Sequence, residues 1–309
     1  MIPTVKNINS RTIHSSSKIY IAGHNGLVGS ALLEKFKNKG YSNLLLRNHK
    51  QLDLLIQNEV FDFLKIEKPD YIIIAAAKVG GIVANNKYRA QFIYENLTIM
   101  TNLIHGAYLA GIDNILFLGS SCIYPKDSPQ PIKESYLLTD TLEYTNEPYA
   151  ISKIAGIKMC ESYNTQYGTN YISVLPTNLY GPNDNFDLEK SHVLPALIRK
   201  IYLGKCIDEK QWDSIRRDLN QRPIEGVSGE ERKQDILKVL DKYGVKTSES
   251  ISSVEIWGSG KPQREFLYSE DLADACLYIL ENINFNDIKS LDEVIKTKVV
   301  EDSPVKSPL

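Results

Sequence analysis

Five apolar runs punctuate the first 180 residues, and stretches with helical spacing separate them. The runs are Lys18-Ile-Tyr-Ile-Ala22, Leu44-Leu45-Leu46, Tyr71 to Ala77, Ile115 to Leu118, and Tyr171 to Leu175. Short unbroken apolar runs fit strands covered on both faces. Ser30 to Lys39 and roughly Tyr88 to Ala110 read as helices, the second stopped by Gly111. Strand alternating with helix predicts an α/β fold, a Rossmann-type doubly wound parallel sheet with helices on both faces. The expected layout is a disordered tail over 1–17, a nucleotide-binding domain over 18–180 and a smaller C-terminal substrate-binding lobe over 181–309.

Past residue 206 the pattern changes. Residues 206–253 are rich in charge, as in Asp213-Ser-Ile-Arg-Arg-Asp218 and Ser228-Gly-Glu-Glu-Arg-Lys-Gln-Asp235. Ser228 and Glu231 have capping-box spacing, and Ile236, Leu240 and Tyr243 share one helical face. A helical excursion is expected: a solvated decoration, a subunit contact or a cover for the site. Residues 291–309 are charged and contain proline, without a core pattern.

Composition narrows the class. Of 309 residues, 42% are apolar and 24% charged, as in soluble globular proteins. A net charge of −2 gives no basic field for nucleic acid or an anionic membrane. Cys122, Cys160, Cys206 and Cys276 form no C-x-x-C pair, so free thiols are expected and a metal site is not. No apolar run reaches signal-peptide or membrane-span length, and a cytoplasmic location is expected.

The first strand runs directly into Gly23-His24-Asn25-Gly26-Leu27-Val28-Gly29, and a helix follows. Glycines in that context let a pyrophosphate approach the backbone and the helix N-terminus. The second strand ends in Arg47-Asn48-His49-Lys50. A basic end there favours a 2′-phosphate, hence NADP over NAD; a plain solvated turn stays open. Asp53 is placed either to reach an adenine or to cap a helix. Of 18 tyrosines, Tyr149 alone has a lysine four positions on, Lys153. Those positions share one helix face, and a neighbouring cation favours phenolate over a phenol of pKa about 10. The strand-end loops bring the glycine turn, Lys78, Ser120, Cys122 and Pro176-Thr177-Asn178-Leu179 toward the same crevice.

Seven blocks carry a resemblance: I-A-G-H-N-G-L-V-G-S, A-A-A-K-V-G-G-I-V-A-N-N, F-L-G-S-S-C-I-Y-P-K, T-N-E-P-Y-A-I-S-K-I-A-G-I-K, P-T-N-L-Y-G-P-N-D-N-F, S-H-V-L-P-A-L and V-E-I-W-G-S-G-K-P-Q-R-E-F-L. The chain resembles the extended short-chain dehydrogenase/reductases, and within them the GDP-L-fucose synthase family. The resemblance implies an NADPH-dependent enzyme acting on GDP-4-keto-6-deoxy-mannose, epimerising carbons 3 and 5 and then reducing carbon 4. It implies Ser120, Tyr149 and Lys153 as the reductase triad and Cys122 with His192 as the acid/base pair. It further implies that Lys153, His192, the glycine turn and Pro176 to Leu179 hold the cofactor, and that Lys200, Trp257 and Arg264 hold the GDP portion. Helices near Ala90 to Leu109 and Pro148 to Gln166 would pair in a homodimer.

Three departures stand against the pattern. Asn25 and His49 occupy places where relatives often carry arginine, 206–253 is an insertion, and relatives continue past Leu309, so a truncated lobe is expected. Two alternatives remain: a reductase of another GDP-4-keto sugar, such as a heptose, and a cofactor-binding protein without turnover.

Overall fold

The computed structural model describes residues 13–248, 251–256, 258–261 and 263–289. In chain order the elements are β1 (Ile19–Ala22), α1 (Leu27–Asn38), β2 (Leu44–Leu45), α2 (Gln57–Glu67), β3 (Tyr71–Ile74), α3 (Ile82–Lys87), α4 (Arg89–Leu109), β4 (Asn114–Leu118), α5 (Glu147–Tyr167) and β5 (Asn170–Val174). The second half adds β6 (Asn178–Tyr180), α6 (Val193–Asp208), α7 (Trp212–Gln221), α8 (Lys233–Lys242), β7 (Val245–Thr247), β8 (Ser252–Val254), β9 (Phe266–Tyr268) and α9 (Ser269–Asn282).

The first five strands form one sheet in the order β2-β1-β3-β4-β5, every pair parallel. Successive strand side chains point to opposite faces, and the two cores divide accordingly. Ile19, Ile21, Tyr71 and Ile73 pack with α1 and α9. Tyr20, Ala22, Ile72 and Ile74 pack with α2, α4 and α5. Both faces are thus covered, which is why these strands read as continuous apolar runs. The sheet winds outward from β1 in one direction and from β3 in the other. The C-terminal ends of those two strands therefore flank the crevice where such sheets bind ligands.

Several boundaries move. The helix expected from Ser30 begins at Leu27, so Leu27, Val28 and Gly29 of the glycine turn belong to its first turn. The second strand shrinks to two half-buried residues at the sheet edge. Of the tail expected over 1–17, residues 1–12 lie outside the described residues, while Ile13 is buried in the core.

The excursion is more than a solvated decoration. Leu203, Cys206, Ile215, Leu219, Ile224, Ile236, Leu240, Tyr243 and Val245 bury one another in a third core. The side chain of Arg199, on α6, is buried and ties this core to the lobe. Its Nε donates to Asp218 Oδ2 at 2.9 Å and its Nη1 to the Phe186 carbonyl at 3.0 Å. The expected capping box is corrected: α8 begins at Lys233 with Arg232 as N-cap, five residues past Ser228. Residues 228–231 turn instead against α7, where Asn220 accepts the Gly229 N–H at 2.8 Å and Arg216 reaches the carbonyls of Gly229 and Glu231.

Candidate active site

The glycine turn closes over β1 so tightly that two of its glycines admit no side chain. Gly23 has φ +86°, and a Cβ there would lie 2.7 Å from the Ala76 nitrogen. A Cβ on Gly29 would lie 2.1 Å from the Gly23 carbonyl oxygen. Gly26 is the N-cap of α1 and provides no side-chain acceptor, so first-turn N–H groups remain to meet an anion. His24 adds a buried Nδ1 without a partner among the described residues, and burial holds its imidazole below the usual range. The turn fits a dinucleotide pyrophosphate.

Across the crevice, β4 ends at Leu118 and the chain turns through Gly119 to Ser120. Ser120 caps a short 3-10 turn, its Oγ accepting the Cys122 N–H at 3.4 Å. Ser121 N–H donates to the Pro176 carbonyl at 3.0 Å. This bond draws the Pro176 to Leu179 segment alongside the Ser120 loop. Thr177 and Asn178 then donate to the Glu265 carbonyl at 3.1 and 3.0 Å, joining the segment to β9.

Helix α5 lays Tyr149 and Lys153 against this loop. Lys153 is almost wholly buried; its Nζ donates to the Leu118 carbonyl at 2.6 Å and sits 5.6 Å from the Tyr149 ring centroid. Burial brings the Lys153 pKa down to about 8. Burial also pushes the Tyr149 phenol up, with the neighbouring Cys122 as the lesser cause. The phenol thus lies above its ordinary range, with desolvation as the largest cause, where the Lys153 spacing alone implies a lowering. The Cys122 thiol is raised by burial too, against hydrogen bonds from Ser120 and Asn146 and the charge of Lys153. Ser120, Cys122, Tyr149 and Lys153 thus form one electrostatically coupled cluster.

The lysine shift has a measurable consequence. An unfolded chain holds the Lys153 proton up to an ordinary pKa of 10.5, the native one only up to about 8. Stability therefore rises with pH across that window, and burial of the charge costs most below it. Lys153→Met is expected to raise the melting temperature at about pH 7 and to lose that advantage by about pH 10. An equal gain at both pH values in thermal denaturation would refute the assignment.

His192 is exposed and is the N-cap of α6. The loop after β3 holds the residues before it. Gly81 N–H donates to the Lys190 carbonyl at 3.0 Å, and a Cβ on Gly81 would meet the Ser191 oxygen at 2.8 Å. Burial raises the nearby Asp184 carboxyl above its ordinary range, against the Asn185 N–H and then His192. Asp184 Oδ2 is buried without a partner among the described residues. It borders an apolar cavity of about 260 Å³ with Tyr180, Phe186, Pro195, Ile198 and Tyr268.

The remaining candidates are scattered. Lys200 is buried on α6, its pKa lowered by burial and supported by Glu255. Arg264 is exposed and donates to the Gln263 carbonyl at 2.8 Å. Trp257 lies outside the described residues. Asp53 caps its own turn, accepting the Leu55 N–H at 3.0 Å. Sequence reasoning missed Asn146 and Asp184. Asn146 stands three residues before Tyr149, where a helix start is signalled by Glu147-Pro148; Asp184 follows a Gly-Pro-Asn turn after β6.

The pattern described as the NAD dependent epimerase/dehydratase family matches residues 19–222 and 225–290. The chain belongs to this family. A putative GDP-L-fucose synthase 2 of Arabidopsis thaliana is 47% identical over 93% of this chain and 78% of its own length. The GDP-L-fucose synthase of Escherichia coli K12 is 45% identical, covering 86% and 70%. Among solved members, a GDP-D-glycero-L-gluco-heptose synthase of Campylobacter jejuni, crystallised in the presence of NADPH, is 43% identical with a TM-score of 0.81, covering 89% and 77%. A GDP-L-fucose synthetase of Naegleria fowleri bound to NADP is 26% identical with a TM-score of 0.66, covering 89% and 75%. The family match spans the sheet, the glycine turn and the Tyr149–Lys153 helix.

Proposed function

We propose that this protein converts GDP-4-keto-6-deoxy-D-mannose to GDP-L-fucose, epimerising carbons 3 and 5 and reducing carbon 4 with NADPH. The observation that carries the reading is the convergence of Ser120, Cys122, Tyr149 and Lys153 at the end of β4.

The geometry suits a ketone. Protons on carbons 3 and 5 are acidic because their loss places charge on the keto oxygen. Ser120 and Tyr149 donate hydrogen bonds to that oxygen, stabilising charge as it develops. Cys122 and His192 exchange the protons, one removing and the other returning on the opposite face. Cys122 starts as the thiol, consistent with its raised pKa. NADPH, when bound, supplies the hydride to carbon 4. Tyr149 then protonates the oxygen, a step suited to a phenol that burial keeps protonated. Lys153, charged below about pH 8, orients the cofactor ribose and restores the tyrosine proton. The glycine turn holds the pyrophosphate; Lys200, Trp257 and Arg264 hold the GDP portion. We place the protein in the cytoplasm as a homodimer through α4 and α5, whose outer surfaces expose Tyr94 and Ile151.

Incubation with NADPH and GDP-4-keto-6-deoxy-D-mannose, read by NMR, is expected to yield GDP-L-fucose. Recovery of an unepimerised 4-reduced sugar would refute the epimerase half. A second reading, a GDP-heptose substrate, is favoured by one finding: two Campylobacter jejuni heptose enzymes reach TM-scores of 0.81, above the 0.66 of the Naegleria fowleri synthetase. Parallel assays with a GDP-4-keto-heptose separate the two. A protein that binds NADPH but shows no GDP binding by calorimetry would refute both.

A further inference from the structure

In folds of this kind the residues after β2 decide between a ribose 2′-hydroxyl and a 2′-phosphate. Arg47 brings a guanidinium to that position, yet its side chain is engaged elsewhere. Nη2 donates to Glu67 Oε1 at 2.8 Å, Nη1 donates to the Leu46 carbonyl at 2.9 Å, and the guanidinium lies 5.4 Å from the Phe63 ring centroid. The other oxygen of Glu67 takes Lys18 Nζ at 2.6 Å, and Lys18 also reaches the Glu67 carbonyl.

The direction of this cluster matters. Glu67 is the last residue of α2, and Lys18 directly precedes β1. Both belong to the N-terminal edge of the parallel sheet. The glycine turn and Ser120 belong to the C-terminal edge. Glu67 therefore draws the guanidinium down the α2 face and away from the crevice. The pull persists at neutral pH, because Lys18 and then Arg47 hold the Glu67 carboxyl below its usual range. His49 and Lys50, by contrast, stand exposed on the loop. His49 Nε2 lies 3.8 Å from Asp53, and Asn25 in the glycine turn is exposed and uncharged.

We infer that Arg47 is a structural latch, that His49 and Lys50 alone meet the 2′-phosphate, and that discrimination against NADH is narrow. The inference rests on the NADPH reading above but concerns which residues select it. A bidentate charged contact would give selectivity of roughly ten- to a hundredfold; solvent screens the exposed His49 and Lys50 contacts, so less than about tenfold is expected.

The test is calorimetric titration of the apoprotein with 2′,5′-ADP and with 5′-AMP, beside the ratio of kcat/KM for NADPH and NADH. Arg47→Met keeps the stem over Phe63 and is expected to lower the melting temperature while leaving both ratios within about twofold. His49→Arg is expected to raise both by about tenfold. A collapse of selectivity in Arg47→Met, or a wild-type ratio above about a hundredfold, overturns the inference. Should Arg47→Met fail to fold, His49→Arg decides alone, an unchanged ratio being the refuting result. A wild type that favours 5′-AMP and NADH refutes the NADPH reading, and Arg47→Met still judges the latch.

Discussion

Tyr149→Phe is expected to lower the rate of ketone reduction by roughly 10²–10⁴-fold, the range for losing a positioned proton donor. The substitution removes only the hydroxyl, so the ring stays beside the Lys153 amine. NADPH affinity is expected to hold, because the glycine turn and Lys153 are untouched. Single-turnover oxidation of NADPH, followed by absorbance, measures the step. A loss below about tenfold would mean that Ser120 or solvent supplies the proton instead.

Cys122→Ser is the second large effect. A serine hydroxyl fits the space but ionises far less readily than a thiol, so exchange at carbons 3 and 5 is expected to fall by about 10²–10⁴-fold. Reduction is expected to continue on unepimerised ketone, giving a 4-reduced sugar of altered stereochemistry. Solvent deuterium incorporation, read by NMR, reports the exchange. Wild-type deuterium uptake by the variant would remove Cys122 from the acid/base couple and leave the reductase intact. The two substitutions thus separate the two halves of the chemistry.

Much of the fold was legible because its signals are local. The five strands announce themselves as apolar runs, since both faces of the sheet are covered. The glycine turn is legible because a Cβ at Gly29 would collide with the Gly23 carbonyl. The shortness of β2 was not: Leu44 to Leu46 reads the same whether the sheet continues beside it or ends there. The Ser228–Glu231 spacing misled for a related reason. A capping box is a local motif, but Asn220 and Arg216 of α7 take hold of that stretch first.

The site divides in the same way. Residue types and order pointed to Ser120, Cys122, Tyr149 and Lys153, and the fold gathers them. A four-residue helical spacing reports proximity and says nothing of burial. Desolvation moves the Tyr149 and Lys153 pKa values apart, upward for the phenol and down to about 8 for the amine. Asn146 and Asp184 escaped notice because their importance lies in what they face.

The buried Arg199 fork limits how far helix α7 can be altered. Removing α7 alone would leave a buried cation with its carboxylate gone, a loss of about 3–5 kcal/mol. Helix α7 and the arginine are therefore mutually dependent. Protein engineers who trim this segment would need another residue at position 199 or another acid to meet it.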